Sequence, residues 1–133
     1  MMRFVLDASV AITWAMRDED HPIADLAFLE IQSGSAIVPG IFWYEVWNIL
    51  VVNERRNRIA PVDSAQFLRD LEQFSIGLDI PHGTHLMDLS RKYKLSVYDA
   101  AYLAAAQSNR LPLATLDDNL RDAALAEGVP LLA

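Results

Sequence analysis

Residues 3–12 read RFVLDASVAI, a short apolar run followed at once by small and apolar residues at helical spacing. The run at 3–6 favours a strand, and the segment from Ala8 to Met16 favours a helix. Asp7 therefore lies where a predicted strand ends and a predicted helix begins. In open parallel sheets the ligand crevice lies beyond the carboxyl ends of the strands, so we predict that Asp7 faces such a crevice.

The alternation of strand and helix continues along the rest of the chain. Short apolar runs predict further strands at 36–38, 77–80, 112–115 and 129–132. Apolar residues at helical spacing predict helices at 21–31, 41–53, 61–75, 82–93, 96–108 and 117–126. Such alternation is typical of parallel strands joined by right-handed crossovers, with helices on both faces of the sheet. We therefore predict an α/β fold with three α/β/α layers around a mostly parallel sheet.

Length and composition favour one domain. The 133 residues are 53% hydrophobic and 22% charged, which is too apolar for a disordered chain and sufficient for one sizeable core. No repeat, low-complexity tract or linker is visible, so we predict that residues 1–133 form a single domain. Cysteine is absent, which excludes disulfide frameworks, thiolate zinc sites and cysteine nucleophiles and is consistent with a cytoplasmic protein.

Charge and hydropathy restrict the partners of the protein. The formal net charge is -7, so contact with nucleic acid requires a local basic patch or metal ions. Basic residues cluster at 55–58 and at 91–94, where they could guide a phosphate backbone or form an ordinary solvated surface. The most apolar stretch, at 36–52, is interrupted by Pro39 and Glu45 and is shorter than the roughly 20 clean residues of a membrane span. We expect no membrane association.

Four acidic residues are candidates for a shared site. Asp7 and Asp117 each follow a predicted strand, where an acidic side chain either faces the crevice or only caps the next helix. Glu45 lies in a strongly apolar helix, where a carboxylate needs a cation, a cluster of donors or an exposed stripe because its desolvation is costly. Asp99 lies three residues after Ser96, a spacing that also fits a capping box. Each acid alone has a structural explanation, and the four together are more informative.

The positions of these acids predict that they converge. Two follow strands, and two lie in the first turns of helices that should begin near the same sheet edge. Carboxylates gathered in one pocket raise each other's pKa unless a cation neutralises them. Oxygen ligands without cysteine favour a hard ion such as Mg²⁺ or Mn²⁺ over Zn²⁺. Such an ion can bind phosphate oxygens and lower the pKa of an attacking water, so the chemistry needs no histidine base.

Four short segments follow one another in a distinctive order. They are residues 5–10 (VLDASV), Pro39 followed by Glu45 on the next helix, residues 98–106 (YDAAYLAAA), and residues 114–117 (ATLD) with Leu120 after them. With these segments the chain resembles PIN domains of the VapC toxin type over nearly its full length. Each segment alone is a weak signal, and the four in this order are specific.

The resemblance implies an endoribonuclease that depends on Mg²⁺ or Mn²⁺ and has an acidic pocket. The acids of that pocket would be Asp7, Glu45, Asp99 and Asp117. Ser9 and Thr115 match small hydroxyl positions of the family, which are expected to orient the acids or contact phosphate. The fourth acid varies in this family, so Asp118 could share or replace the role of Asp117, although capping suits Asp118 better. The resemblance also implies a homodimer, an RNA substrate and neutralisation by a small antitoxin of the VapB type.

Two other classes of function are compatible with an acidic pocket. A receiver-like signalling module also gathers acids at strand ends, but it pairs adjacent acids near the first strand and uses a lysine after a late strand, whereas no lysine follows Lys94. A non-catalytic binding module could keep the pocket and act through a partner. His82 and His85 have a spacing possible for metal ligands but lack a His-Glu-x-x-His pattern. Several aromatic residues could stack bases, among them Trp43, Trp47, Tyr98 and Tyr102. Aromatic residues at helical spacing are more typical of packing or of a subunit interface.

Overall fold

Strand β1 (Arg3–Leu6) lies inside a four-stranded sheet in the computed structural model, which describes residues 2–16 and 20–133. The other strands, in chain order, are β2 (Ser35–Pro39), β3 (Ile76–Asp79) and β4 (Leu113–Ala114). They lie in the order β3-β2-β1-β4, and every pairing between them is parallel. The predicted α/β class with a parallel sheet is therefore confirmed.

Helices connect the strands and flank the sheet. In chain order they are α1 (Ala8–Ala11), a 3-10 turn (Ile12–Trp14), α2 (Pro22–Ser33), α3 (Ile41–Arg55), α4 (Pro61–Gln73), α5 (Gly83–Tyr93), α6 (Val97–Asn109) and α7 (Asp118–Ala126). Proline begins α2 and α4, where its fixed φ suits the first helical position and its missing N–H costs no hydrogen bond. Among the described helices, none is long and apolar enough to cross a membrane.

The strand order places a crevice beside β1. The chain passes from β1 to β2 and β3 on one side of the sheet and returns to the other side of β1 for β4. In parallel sheets a ligand site forms where the strand order reverses in this way, at the carboxyl ends of the strands. Residues that directly follow β1 and β4 therefore face one another across this crevice.

A continuous cluster of buried side chains surrounds β1. Phe4, Val5 and Leu6 are each 0% exposed, because strands pair on both edges of β1 and helices cover its faces. Helix α6 packs against β1, β2 and β4, and all of its residues from 100 to 106 are buried. Most of these residues are alanine, so the helix backbone can approach the sheet closely.

The first predicted helix is shorter than expected. It ends as α1 at Ala11 and continues only as the 3-10 turn, instead of running to Met16. Thr13 Oγ1 donates to the backbone carbonyl of Val10 at 2.8 Å, and such a local bond competes with regular α-helical pairing. The prediction from hydrophobic spacing was therefore wrong about the second half of this helix.

The strand predicted at 129–132 is reduced to a single parallel bridge between Leu131 and Leu113. Pro130 has no N–H to donate to a ladder, although its carbonyl accepts a hydrogen bond from the Leu113 amide at 2.9 Å. Because β4 has only two residues, it offers little edge for a further strand. The apolar character of this segment reflects burial and not a full strand.

Gly34 joins α2 to β2 at a close approach between backbones. A Cβ on this residue would lie 2.0 Å from the carbonyl oxygen of Met2 and 2.9 Å from that of Glu30. The same Met2 carbonyl accepts a hydrogen bond from the Ser35 amide at 3.1 Å. The carbonyl therefore cannot move aside without loosening the beginning of the β1–β2 pairing.

We predict that Gly34→Ala lowers the free energy of unfolding by about 1–3 kcal/mol, the usual cost of forcing extra atoms into a packed position. Urea denaturation measures this change. Gly40→Ala is the matched control, because a Cβ there meets nothing within 4 Å and the backbone is α-helical. If Gly34→Ala were as stable as the wild type, the close backbone approach would be contradicted.

Candidate active site

Asp7 lies between β1 and α1 and is only 5% exposed. Its Oδ2 accepts hydrogen bonds from Ser9 Oγ and from Thr115 Oγ1, both at 2.7 Å. Although Asp7 occupies the N-cap position of α1, its side chain makes no capping hydrogen bond. Helix capping, the structural role considered above for Asp7, therefore does not explain why its carboxylate is buried.

The two hydroxyls that bind Asp7 are themselves oriented by backbone amides. The Leu116 amide donates to Ser9 Oγ at 3.1 Å, and the Asp117 amide donates to Thr115 Oγ1 at 3.0 Å. Because each hydroxyl oxygen accepts from an amide, its own proton is directed toward Asp7. This network connects the carboxyl end of β1 with the carboxyl end of β4, across the crevice.

Glu45 lies on α3 and is partly buried. Its Oε1 accepts a hydrogen bond from Tyr102 Oη on α6 at 2.6 Å. This contact was not predicted from the sequence, which placed Tyr102 only among aromatic residues for packing or stacking. The available signal was its position three residues after Asp99, since residues three apart share a face of a helix.

Asp99 lies in the first turn of α6 and is partly buried. Its backbone amide donates to Ser96 Oγ at 3.0 Å, so Ser96 caps the helix. The Ser96 side chain also interacts with the Asp99 carboxylate and lowers its pKa. The carboxylate therefore lies at the beginning of the helix, beside its cap residue.

Asp117 and Asp118 have different surroundings. Asp117 Oδ1 accepts from the Leu120 amide at 2.9 Å, so this oxygen caps α7. Asp118 is exposed and forms an ion pair with Arg121 at 3.1 Å. Capping thus accounts for one oxygen of Asp117, and Asp118 interacts with its own helix at the surface.

Electrostatic effects connect the four candidate acids. Burial raises the pKa of Asp7 against the two hydroxyl hydrogen bonds that lower it, and the charge of Asp99 raises it further. Burial also raises the pKa of Glu45, and the charges of Asp7 and Asp99 add to the effect. For Asp99, burial again raises the pKa and the charge of Asp117 adds to it. The charges of Asp7, Asp99 and Asp117 therefore each raise the pKa of at least one other acid of the set.

The carboxylates lie near one another without forming a finished coordination sphere. Within residues 2–16 and 20–133, no three His, Asp or Glu side chains are arranged to hold a metal ion. In the same part of the chain, no ion pair involves Asp7, Glu45 or Asp99. The donor chemistry nevertheless fits a hard divalent cation, because its charge would neutralise acids that raise each other's pKa and oxygen is its preferred ligand.

Other candidate residues have partners of their own. His85 Nε2 lies 2.9 Å from Gln107 Oε1, and His82 is exposed at the beginning of α5. Lys92, in the second basic cluster, forms an ion pair with Glu127 at 3.0 Å. The basic residues at 55–58 include an arginine that hydrogen-bonds within the protein, while their side chains lie mainly at the surface.

A cavity of about 750 Å³ lies away from the acids. It is lined by residues that include Trp14, Arg58 and Phe67, and by none of the four acids. This cavity therefore does not mark the candidate site.

Comparison with known proteins agrees with this fold. The PIN domain model matches residues 4–125, a range that includes all four acids, and the chain belongs to the PIN domain family. Ribonuclease VapC3 of Pyrobaculum aerophilum is 28% identical over 125 residues, which cover 91% of this chain and 94% of that protein. The family resemblance inferred from the sequence is thus confirmed.

Two solved structures share the fold. PAE2754 from Pyrobaculum aerophilum is 22% identical, with a TM-score of 0.72 over 92% of this chain and 84% of that one. VapC20 of Mycobacterium tuberculosis, described as a sarcin-ricin loop cleaving toxin, is 12% identical, with a TM-score of 0.61 over 91% of this chain and 94% of that one. At these identities the likeness establishes the architecture alone.

We predict that Asp7→Asn raises the melting temperature of the metal-free protein at neutral pH, because it removes a buried charge and keeps an oxygen that can accept the hydroxyl protons. The folded-state pKa of Asp7 is raised above 3.8, so the wild type gains stability as pH falls through that raised pKa. The advantage of the variant should therefore shrink on acidification and disappear below about pH 3.8, where both states are protonated.

Thermal unfolding in EDTA over a series of pH values measures this effect. Asp88→Asn is the control, because Asp88 is an exposed acid on α5 and its replacement should change little. A lower melting temperature for Asp7→Asn at neutral pH would contradict the prediction. It would mean that the hydrogen bonds of the carboxylate stabilise the folded protein by more than the desolvation of its charge destabilises it.

Proposed function

We propose that this chain is an endoribonuclease that hydrolyses RNA phosphodiester bonds with the help of Mg²⁺ or Mn²⁺, and that residues 1–133 act as a single PIN-like domain. The observation that carries the proposal is the buried Asp7 carboxylate, which Ser9 and Thr115 hold between the ends of β1 and β4. It lies close enough to other candidate acids that the charge of Asp99 acts on Asp7 and the charge of Asp7 acts on Glu45. Membership of the PIN domain family and the likeness to a ribonuclease support the choice of RNA as substrate.

Each residue of the site has a proposed role. Asp7, Glu45 and Asp99 would hold the metal, and Asp117 would assist with the oxygen that does not cap α7. Ser9 and Thr115 would keep the Asp7 carboxylate in one orientation. When bound, a divalent ion supplies the positive charge that the crevice lacks and lowers the pKa of an attacking water.

The charge of the crevice makes binding of RNA depend on the cation. The protein carries a formal charge of -7, and the candidate acids would repel a phosphate group. A neutralised crevice could accept the backbone, and the exposed basic residues Arg55, Arg56 and Lys94 could guide it. We therefore expect RNA binding in EDTA to be much weaker than in the presence of the metal.

We predict that the purified protein cleaves RNA in Mn²⁺ or Mg²⁺ and that Asp99→Asn lowers the rate by at least about 100-fold. Removing a residue that only supports a metal ligand costs up to about 100-fold, so removing a ligand itself should cost at least as much. The measurement uses end-labelled structured and single-stranded RNAs, with EDTA as a second control. Asp99→Asn, purified in the same way, also shows whether a contaminating nuclease is responsible, and Asp88→Asn should cleave as the wild type does. Cleavage that persists unchanged in Asp99→Asn would contradict the proposal.

A non-catalytic binding module is the second candidate. It is favoured by one observation, that no three acids of the described residues are already arranged around an ion. Isothermal titration with Mn²⁺ separates the candidates, because the nuclease requires binding. A folded protein that binds no metal at millimolar concentration would favour the binding module.

We also propose that the chain is the toxin of a VapBC-type pair, acts in the cytoplasm and is neutralised by a small antitoxin of the VapB type. The support is the likeness to Ribonuclease VapC3 and to the fold of the toxin VapC20. Induced expression of the wild type should arrest bacterial growth, and expression of Asp99→Asn should not. Equal arrest by both proteins would point to toxicity without catalysis.

A homodimer is the proposed assembly, and exposed aromatic residues on α3 support it. Tyr44, Trp47 and Val51 share one face of the helix and are 66%, 44% and 40% exposed. The rings of Tyr44 and Trp47 contact each other, with centroids 5.3 Å apart. The sequence is compatible with packing or with a subunit interface for Trp47, and its exposure favours the interface.

We predict that the wild type is dimeric in light scattering coupled to size-exclusion chromatography and that Trp47→Glu is monomeric, because a charge cannot be buried without a partner. Val62→Glu is the control, since Val62 is a 69% exposed apolar residue on α4. A monomeric wild type would contradict the proposed assembly.

A further inference from the structure

Tyr102 is the largest side chain that is fully buried in the described part of the chain. It lies on α6, one turn after Asp99, between the alanines that pack this helix against the sheet. A phenylalanine would fill nearly the same volume without a hydroxyl that must find a partner inside the protein. The buried hydroxyl therefore calls for an explanation beyond packing.

The hydroxyl of Tyr102 joins two parts of the candidate site. It donates to Glu45 Oε1 at 2.6 Å. Tyr102 lies three residues after Asp99 on α6, so it shares a helix face with that acid. Tyr102 thus connects the Glu45 carboxylate on α3 with the helix that carries Asp99.

The hydrogen bond has a fixed direction. The phenol donates its one proton to Glu45 Oε1, because a carboxylate oxygen can only accept. Among the described residues, no other hydrogen bond to the Glu45 carboxylate is found, so Tyr102 alone restrains its orientation there.

We propose that Tyr102 is a positioning residue of the metal site, whose hydroxyl holds the Glu45 carboxylate on the side of Asp7 and Asp99. The inference rests on the proposed function for the role of Glu45 as a ligand. It concerns metal binding and not cleavage, so it can be tested without an RNA substrate. Partners that orient a metal ligand from outside the coordination sphere contribute substantially to affinity.

The test compares the dissociation constant for Mn²⁺ in the wild type and in Tyr102→Phe, by isothermal titration and by the electron paramagnetic resonance signal of free Mn²⁺. We expect the constant to rise by about 10-fold or more in Tyr102→Phe, as for other lost partners of metal ligands. Tyr98→Phe is the matched control, because Tyr98 lies one turn earlier on α6 and is 60% exposed. Its affinity should equal that of the wild type.

A double-mutant cycle with Glu45→Gln separates positioning from general structure. If Tyr102 acts through Glu45, Tyr102→Phe should weaken Mn²⁺ binding in the wild-type background and have no further effect in Glu45→Gln. Equal weakening in both backgrounds, or no weakening at all, would overturn the inference. Melting temperatures of the metal-free proteins establish that each variant is folded. As a second measurement that does not depend on titration, a crystal structure of metal-free Tyr102→Phe should show a displaced Glu45 side chain.

The outcomes distinguish this inference from the proposed function. Weaker Mn²⁺ binding by Tyr102→Phe without any RNA cleavage by the wild type would support the role of Tyr102 and contradict the nuclease. Metal-dependent RNA cleavage with unchanged Mn²⁺ affinity in Tyr102→Phe would support the nuclease and overturn the role of Tyr102. Absence of Mn²⁺ binding by the wild type would overturn both.

Discussion

The burial of the Asp7 carboxylate at the end of β1 is the constraint on which the site depends. At 5% exposure, a charged group needs donors that replace water, and Ser9 and Thr115 provide them. These hydroxyls are oriented by amides that follow β4. The network therefore requires β1 and β4 to be neighbours with their carboxyl ends at the same edge. The parallel pairing of β1 with β4 therefore also brings the Thr115 hydroxyl to the Asp7 carboxylate.

Helices α6 and α3 complete the crevice, and each carries one partly buried acid. Helix α6 begins with a serine cap that satisfies the backbone amide of Asp99 and also interacts with its carboxylate. Helix α3 carries Glu45, whose burial among apolar neighbours is made tolerable by the Tyr102 hydroxyl. The charges of Asp7 and Asp99 raise the pKa of Glu45, and the charge of Asp117 raises the pKa of Asp99. Acids gathered in this way cost stability, a common property of functional sites.

Most of the fold could be predicted because its signals are local. Hydrophobic spacing predicted α2 to α7 to within a few residues, and alternation with strands predicted a parallel sheet. The failures occurred where local and tertiary effects compete. Thr13 converts the end of the first helix into a 3-10 turn, and Pro130 limits the last segment to one bridge. Neither effect changes the hydrophobic pattern, so spacing alone could not reveal it.

The sequence by itself determined which acids follow strands and which begin helices, since strand ends, caps and helical faces depend on neighbouring residues. It could not decide which carboxylates are used for capping. Only the tertiary structure shows that one oxygen of Asp117 caps α7, while the Asp7 carboxylate is held by the hydroxyls of Ser9 and Thr115. It also brings Tyr102 to Glu45 and Thr115 to Asp7, pairs separated by 57 and 108 residues. Such hydrogen bonds exist only once the chain has folded, because no local pattern specifies which distant donor meets which buried acceptor.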